Sequence, residues 1–471
     1  GGAGVDNVTV STAANTASIA LGAGNDSVTI AALSASTSGT IDGGDGIDTL
    51  KMTPTLAATI ASATTNGKLS NFERLGLVDE TFTSNTDVSK TVDLGYLSAV
   101  NSYVQVGATA ITGTKAKTTT AGDNPLALTL NINNLATGGT VEFTGDVTST
   151  NAGDGGTATS VVVAVSNAAY STTDTLNIKL SNTAAAARAA GSVTAANIET
   201  INLDASTSAT TWAAATDTIN LTATAAKTLV ITGNQGVDIS AGTSNTALTS
   251  VDASAMTGTG NVFTYTTGAL VAVTNGSKAT IVGTTTGVNT INASAALKGV
   301  NISVGANSAA NVLTGSALAD IITGGSGSDT ITSGGGLDQL TGGAGADTFV
   351  LADGTGTATS QLIITDYTRA AVGGDTIDFA SAAAVSAITA AGWTVTNGMY
   401  TKAGAVIADF YAALSGGAAN KVAAFEYSGD TYVMYTGAST ATTDDVFVKL
   451  VGVTGLTSVS TTAGANALLV A

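Results

Sequence analysis

Four aspartates recur nine residues apart, Asp320, Asp329, Asp338 and Asp347. The last three close glycine-rich runs: Gly324, Gly325 and Gly327 precede Asp329, Gly334 and Gly336 precede Asp338, and Gly342, Gly343 and Gly345 precede Asp347. A large apolar residue follows each aspartate by two positions: Ile322, Ile331, Leu340 and Phe349. Carboxylates are hard oxygen donors, and glycine lets a loop turn through positive φ and aim its carbonyl oxygens inward. This donor set suits a hard divalent cation, calcium above all. If one nine-residue unit is half a coil, two units complete a turn. Asp320 then stacks over Asp338 on one edge and Asp329 over Asp347 on the other, with a calcium ion between the members of each pair. Asp320 stands in a unit that lacks the double glycine.

The same pattern returns at the N-terminal end with wider spacing. Gly1, Gly2 and Gly4 precede Asp6, Gly24 precedes Asp26, and Gly43, Gly44 and Gly46 precede Asp48, so these aspartates lie 20 and 22 residues apart. Leu21 holds the place of the first glycine in the middle unit. A full coil of about two units keeps these three loops on one edge, while the opposite edge, around Asn15 and Ser36–Thr40, carries uncharged turns. The expectation is a one-sided ladder of calcium loops, with Asp42 and Asp45 either adding oxygens near its end or standing as solvated turn residues.

Loops of this kind need a stack of short strands to hold them in register. The composition supports one: 57 glycines, 2 prolines and only 4% aromatic residues in 471 suit thin stacked layers better than a core filled by large rings. Pro54 and Pro125 are few enough to leave long strand ladders intact. The reading is an all-β, elongated, right-handed parallel β-helix or β-roll solenoid. Its parts are an N-terminal β-roll segment (1–50), an irregular solenoid body (51–312), a nonapeptide β-roll (313–352) and a capping region (353–471).

In the body, strands are expected at Leu126–Ile132, Ser160–Val165, Leu229–Thr232, Val237–Ser240 and Val300–Val304, with helical candidates at Ala184–Ala189 and Ala382–Ala391. Asn71, Phe72 and Glu73 are echoed by Asn197, Ile198 and Glu199. Glu73, Asp174, Glu199, Asp204 and Asp217 recur at strand edges, either as further calcium ligands or as acids facing water, the second reading being preferred. Past the last glycine loop, Asp366, Asp375 and Asp378 form a group that would bind one more calcium and close the open end of the roll. The tail reads as a helix over Thr401–Leu414 and strands at Ala423–Tyr427, Asp430–Thr436 and Asp444–Gly452.

Charge and missing residue types exclude whole classes of function. Thirty-three acidic against 15 basic residues give −18, which rules out general binding to a nucleic acid backbone. With no His and no Cys there is no disulfide, no thiolate and no imidazole base, so an enzyme is not expected. No apolar run is long enough for a membrane span, and Ser381–Val395 is too weakly apolar. Beginning at a glycine within a repeat, the sequence reads as part of a longer chain whose N-terminal portion precedes it.

Gly324–Val350, Ile363–Phe379 and Tyr432–Gly452 resemble the repeat-in-toxin (RTX) class of type I-secreted proteins. The stretches around Asn197–Ile201 and Thr228–Asn234, with the Ala/Thr-rich body, are similar to Caulobacter-type surface-layer (S-layer) proteins. The resemblance implies export through an ABC-transporter channel by an uncleaved C-terminal signal, here within the last hundred residues, and folding outside the cell. It further implies a planar hexameric lattice made by this part of the chain, and a grip on cell-surface lipopolysaccharide by the preceding part. Calcium ligands carry over onto Asp6, Asp26, Asp48, Asp329, Asp338 and Asp347. An RTX adhesin or extracellular matrix filament is the alternative, and the non-catalytic part of a secreted enzyme a third reading.

Overall fold

The structure, a computed structural model, describes residues 1–11, 18–32, 39–60, 66–78, 80–83, 88–97, 100–107, 112–114, 128–147, 159–182, 187–208, 216–240, 245, 247–257, 262–266, 278–352, 357, 359–369, 373–379, 386–387, 392–415, 421–437, 445–461 and 467–470. Its contacts divide the chain into two compact units, Gly1–Leu248 and Thr249–Ala471. Each is a parallel β-roll solenoid in which successive coils add strands to two sheets.

In the first unit, one sheet runs through Asn7–Val10, Ser27–Ile30, Thr49–Met52, Arg74–Leu77, Tyr103–Val106, Gly139–Phe143, Thr175–Asn182, Thr200–Thr207 and Thr228–Gly233, all parallel. The second comprises Val88–Asp93, Leu128–Leu135, Thr159–Val165, Ala189–Ala195, Thr216–Thr222 and Gly236–Ser240. Strand residues alternate between core and surface, so one register position supplies the same aliphatic contact in coil after coil. Val28, Leu50, Leu75, Val104, Val141, Ile178, Leu203 and Ile231 form such a line and all are buried.

In the second unit the sheets are Ser250–Met256, Ala279–Val282, Val300–Ser303, Ile321–Gly325, Gln339–Gly343 and Leu362–Ile364, and Val262–Thr266, Val288–Asn292, Val312–Thr314, Thr330–Thr332, Thr348–Leu351 and Thr376–Phe379. Their buried lines are Ile281, Ile302, Ile322, Leu340 and Ile364 in one sheet, and Ile291, Leu313, Ile331, Phe349 and Ile377 in the other. The apolar residue two places after each ladder aspartate is the one that enters the core.

The end of this roll is closed by strands. Val446–Leu450 pairs in parallel with Leu362–Ile364, and Ala467–Val470 pairs antiparallel with Thr376–Phe379. Val446–Leu450 itself belongs to an antiparallel sheet with Lys421–Tyr427 and Asp430–Thr436. The helix Ile407–Leu414 places Phe410 and Leu414 in an aromatic core with Tyr400, Phe425, Tyr432 and Phe447, flanked by Trp393.

Three expectations about helices change. The tail helix begins at Ile407 rather than Thr401, because Thr401 ends a strand, Gly404 turns with φ +72, and Asp409 Oδ2 accepts the Val406 N–H at 3.0 Å. A helix at Pro54–Thr59 was not foreseen. Thr53 Oγ1 accepts the Leu56 N–H at 3.1 Å and Pro54 opens the first turn, where its missing N–H costs nothing. Of the helical candidate Ala184–Ala189, Ala189 starts a strand and 184–186 lie outside the described residues. Of Ala382–Ala391, only Ser386–Ala387 is described, as a strand beside Lys421–Val422.

Candidate metal centres

Every glycine-rich loop leads into a strand, and its aspartate is placed at that junction. There one carboxylate oxygen reaches back along the stack and accepts the backbone N–H of the preceding coil. Asp26 Oδ1 accepts from Asp6 at 2.8 Å and Asp48 Oδ1 from Asp26 at 2.7 Å. In the second unit, Asp338 Oδ1 accepts from Asp320 and Asp347 Oδ1 from Asp329, both at 2.8 Å. Alternate aspartates of the nonapeptide run therefore stack in pairs, one pair on each edge.

The other oxygen of these groups has no such partner. Asp26, Asp48, Asp329, Asp338 and Asp347 are at most 1% exposed, yet the Oδ2 of each lacks any hydrogen bond. A buried carboxylate oxygen without a donor is costly unless a cation meets it. Burial pushes the Asp338 and Asp347 carboxyls up to about 7, with Asp320 adding to the first and Asp375, Asp329 and Asp366 to the second. Asp48 and Asp329 are also raised, chiefly by burial.

Glycine is required by close packing as well as by turn geometry. A Cβ on Gly342 would lie 2.2 Å from Asp347 Oδ2, and one on Gly324 would lie 2.5 Å from Asp329 Oδ2. Gly44 and Gly343 have φ of +100 and +104, and a Cβ on them would meet the carbonyl oxygens of Gly22 and Gly325, one coil earlier. Gly22, Gly24, Gly46, Gly334, Gly336 and Gly345 share the positive φ. Gly1 would crowd Asp6 Oδ2 in the same manner, whereas Gly2 and Gly4 face open space. Gly325 and Gly327 press on the carbonyls of Asn307 and Ala309. Gly43 abuts the Asn71 carbonyl and the Asp48 side chain.

This arrangement fits calcium. Two stacked aspartates supply the negative charge, loop carbonyls supply the rest of an oxygen shell, and the ion would neutralise carboxylates that otherwise repel. Among the described residues no three acidic side chains converge on one point, so backbone oxygens must complete any such shell. Asp26, Asp48, Asp329, Asp338 and Asp347 are the side chains that would hold the ion.

Other expected ligands take different roles. Asp320 is buried, but its Oδ2 accepts the Ser316 N–H at 2.6 Å, and its Oδ1 accepts the Val300 N–H at 2.7 Å and the Ser316 hydroxyl at 2.8 Å. Asp6 is only half-buried at the first coil, with Gly2 N–H at 3.3 Å from its Oδ2. Asp45 is exposed, and Asp42 accepts Asn71 Nδ2 at 2.7 Å. Asp366 caps the Gly342 and Gly343 N–H groups at 3.0 and 2.7 Å. Asp375 takes the Asp347 N–H at 2.9 Å and the Thr368 N–H at 2.6 Å. Asp366 and Asp375 thus cap backbone N–H groups, and strand pairing closes the roll end beside them. Asp378 retains a buried Oδ1 without a partner, and burial raises its carboxyl. The turns around Asn15 and at 36–38 lie outside the described residues.

Four acids read as water-facing belong to the ladders instead. Glu73 Oε2 accepts the Asp48 N–H at 2.7 Å, and Glu199 Oε2 accepts the Asp174 N–H at 3.0 Å. Asp174 and Asp217 are buried, each with an unpartnered Oδ2, and burial pushes Asp217 up to about 6. The signal for the glutamates was present, since each follows its aspartate by 25 residues. Asp204 stays on the outer strand face, half-buried and bonded to Ser206 Oγ.

No helix among the described residues is long and apolar enough to cross a membrane. Residues 307–356 match the family model of the RTX calcium-binding nonapeptide repeat in four copies. No curated protein matches the chain. The chain thus carries an RTX calcium-binding repeat, stacked as a parallel β-roll.

Proposed function

We propose that this RTX-bearing chain is a secreted structural protein whose calcium-dependent folding and self-assembly build a planar surface-layer lattice on a bacterial cell. The observation that carries the reading is the row of buried, unpartnered aspartate oxygens, repeated coil after coil, which calcium would turn from a source of repulsion into a structural link. Without the ion the glycine loops have the largest backbone entropy to lose and the carboxylates the most charge to bury. Extracellular modules bind calcium with Kd of about 10⁻⁴–10⁻³ M, so export from low to high calcium switches folding on. In the low-calcium interior the chain stays threadable for a type I channel. The surplus of 18 negative charges makes neighbouring copies repel until divalent ions join them.

The test is a calcium titration of the purified chain that follows β-sheet signal and particle size, with electron microscopy of the product. Folding and growth into flat arrays on calcium addition is the expected result. Fibres would favour the adhesin or filament reading, and monomers fully folded in chelator would overturn the mechanism.

A further inference from the structure

Along the edge leading into the second sheet, four loops occupy one position in successive coils: 284–289, 306–311, 324–329 and 342–347. They end in Asn289, Asn311, Asp329 and Asp347. The backbone cap is the same at each step: Asn289 N–H to Asn311 Oδ1 at 3.0 Å, Asn311 N–H to Asp329 Oδ1 at 2.8 Å, Asp329 N–H to Asp347 Oδ1 at 2.8 Å. The second atom of each side chain differs. In Asp329 and Asp347 it is a buried oxygen with no donor.

In the two asparagines that atom is a nitrogen with loop carbonyls around it. Asn289 Nδ2 donates to Thr284 O at 3.0 Å and Asn311 Oδ1 at 2.9 Å, and Asn311 Nδ2 donates to Ala309 O at 2.9 Å and Asp329 Oδ1 at 2.8 Å. Asn307, one coil before Gly325, adds Nδ2 bonds to Thr284 O at 2.7 Å and Gly287 O at 2.6 Å. An amide NH₂ supplies two donors, so it can gather carbonyl and side-chain oxygens in the way a cation does, without charge.

The opposite edge changes character at the same level. Asp338 keeps an unpartnered Oδ2, while one coil earlier both oxygens of Asp320 are bonded to Ser316 and Val300. Lys278 extends its ammonium past Gly299 to the carbonyl of Ala319, the residue before Asp320.

We propose that calcium dependence stops at this level on both edges: Asn289, Asn307 and Asn311 on one side, and Lys278 with Ser316 on the other, stand in for the metal. The coils carrying Ala279–Val282, Val288–Asn292, Val300–Ser303 and Val312–Thr314 then form without the ion and present a finished strand edge on which the calcium-bound coils stack. The inference rests on the calcium reading of Asp329, Asp338 and Asp347.

Hydrogen exchange of the whole chain, with calcium and with chelator, tests it. In chelator, amides of 279–314 should keep protection while those of 330–332, 339–343 and 348–351 lose it by roughly a hundredfold or more, and calcium should restore only the latter. Asn311→Asp removes the amide donors and should make 312–314 calcium-dependent as well. Lys278→Met should do the same for 300–303, with both variants matching the parent in calcium. Loss of protection across 279–314 together with the repeats would overturn the boundary while leaving the calcium reading intact. Protection of 330–351 in chelator would overturn both. Either variant remaining protected in chelator would show that the substituted group does not replace the metal.

Discussion

The nonapeptide roll and the aromatic module that follows it reach a buried core by opposite means. In the roll, the residue two places after each aspartate, Ile322, Ile331, Leu340 or Phe349, is buried in the core, and the aspartates themselves are buried carboxylates. In the module, Phe410 stacks on Phe425 with ring centres 5.3 Å apart and meets Trp393 edge-on at 6.0 Å, with Phe447 and Tyr432 completing the cluster. Its acid Asp430 is paired with Lys449 at 2.7 Å. Aromatic burial acts in any medium where the chain is in water, whereas a stack of orphaned carboxylates is stable only with a partner ion. The comparison separates a constitutive closure from a conditional one.

The largest expected effect is on removal of calcium at pH 7.5. Limited proteolysis in chelator should cut the glycine loops of 324–347 rapidly, while 393–450 resists; equal resistance of both would erase the distinction.

Next comes pH, where the two regions should move in opposite directions. In metal-free chain, Asp338 and Asp347 are raised to about 7 from an unfolded value of about 3.9. The folded roll then binds more protons than the unfolded chain between these limits, so stability is full below about 4 and is lost as pH rises through about 7. Calcium, which needs the ionised carboxylates, should reverse this dependence and release protons on binding. Asp430 is lowered by its bond to Lys449 despite its partial burial, so its contribution is present at neutral pH and fades in acid. Far-UV and near-UV circular dichroism across about pH 2–8 in chelator would show both trends.

Phe410→Ala should destabilise the module by about 3–5 kcal/mol, the usual result of emptying a fully buried ring site. The calcium midpoint for the roll should not change, as read by thermal and calcium titrations side by side. Smallest is Asp347→Asn, which keeps the cap to the Asp329 N–H but removes one charged ligand. The calcium midpoint should weaken on the order of tenfold, since affinity follows the number of charged ligands. An unchanged midpoint would remove Asp347 from the ligand set.

How much of this was legible in the sequence follows from coil length. Where coils are 18 residues long, as from Asp320 to Asp338 and Asp329 to Asp347, spacing alone places alternate aspartates on one edge and sends Ile331 and Leu340 inward. The parallel roll was readable for that reason. Where coils lengthen, as between Asp48 and Glu73 or Arg188 and Asp217, 25 and 29 residues apart, register is no longer visible and buried acids read as solvated ones. The backbone bonds of Asp375 and Asp366 were hidden for another reason: sequence shows a carboxylate but not the N–H groups that it meets. The stand-in role of Asn307 and Asn311 needs the positions of the carbonyls they meet, which spacing does not supply.

The central claim is that the unpartnered oxygens of Asp26, Asp48, Asp329, Asp338 and Asp347 are calcium ligands. Crystals grown in calcium, with an anomalous difference map, test it most directly. The account predicts peaks about 2.3–2.6 Å from each Oδ2, shared with loop carbonyls. A map without peaks at these oxygens, or with protein donors bonded to them, would contradict it.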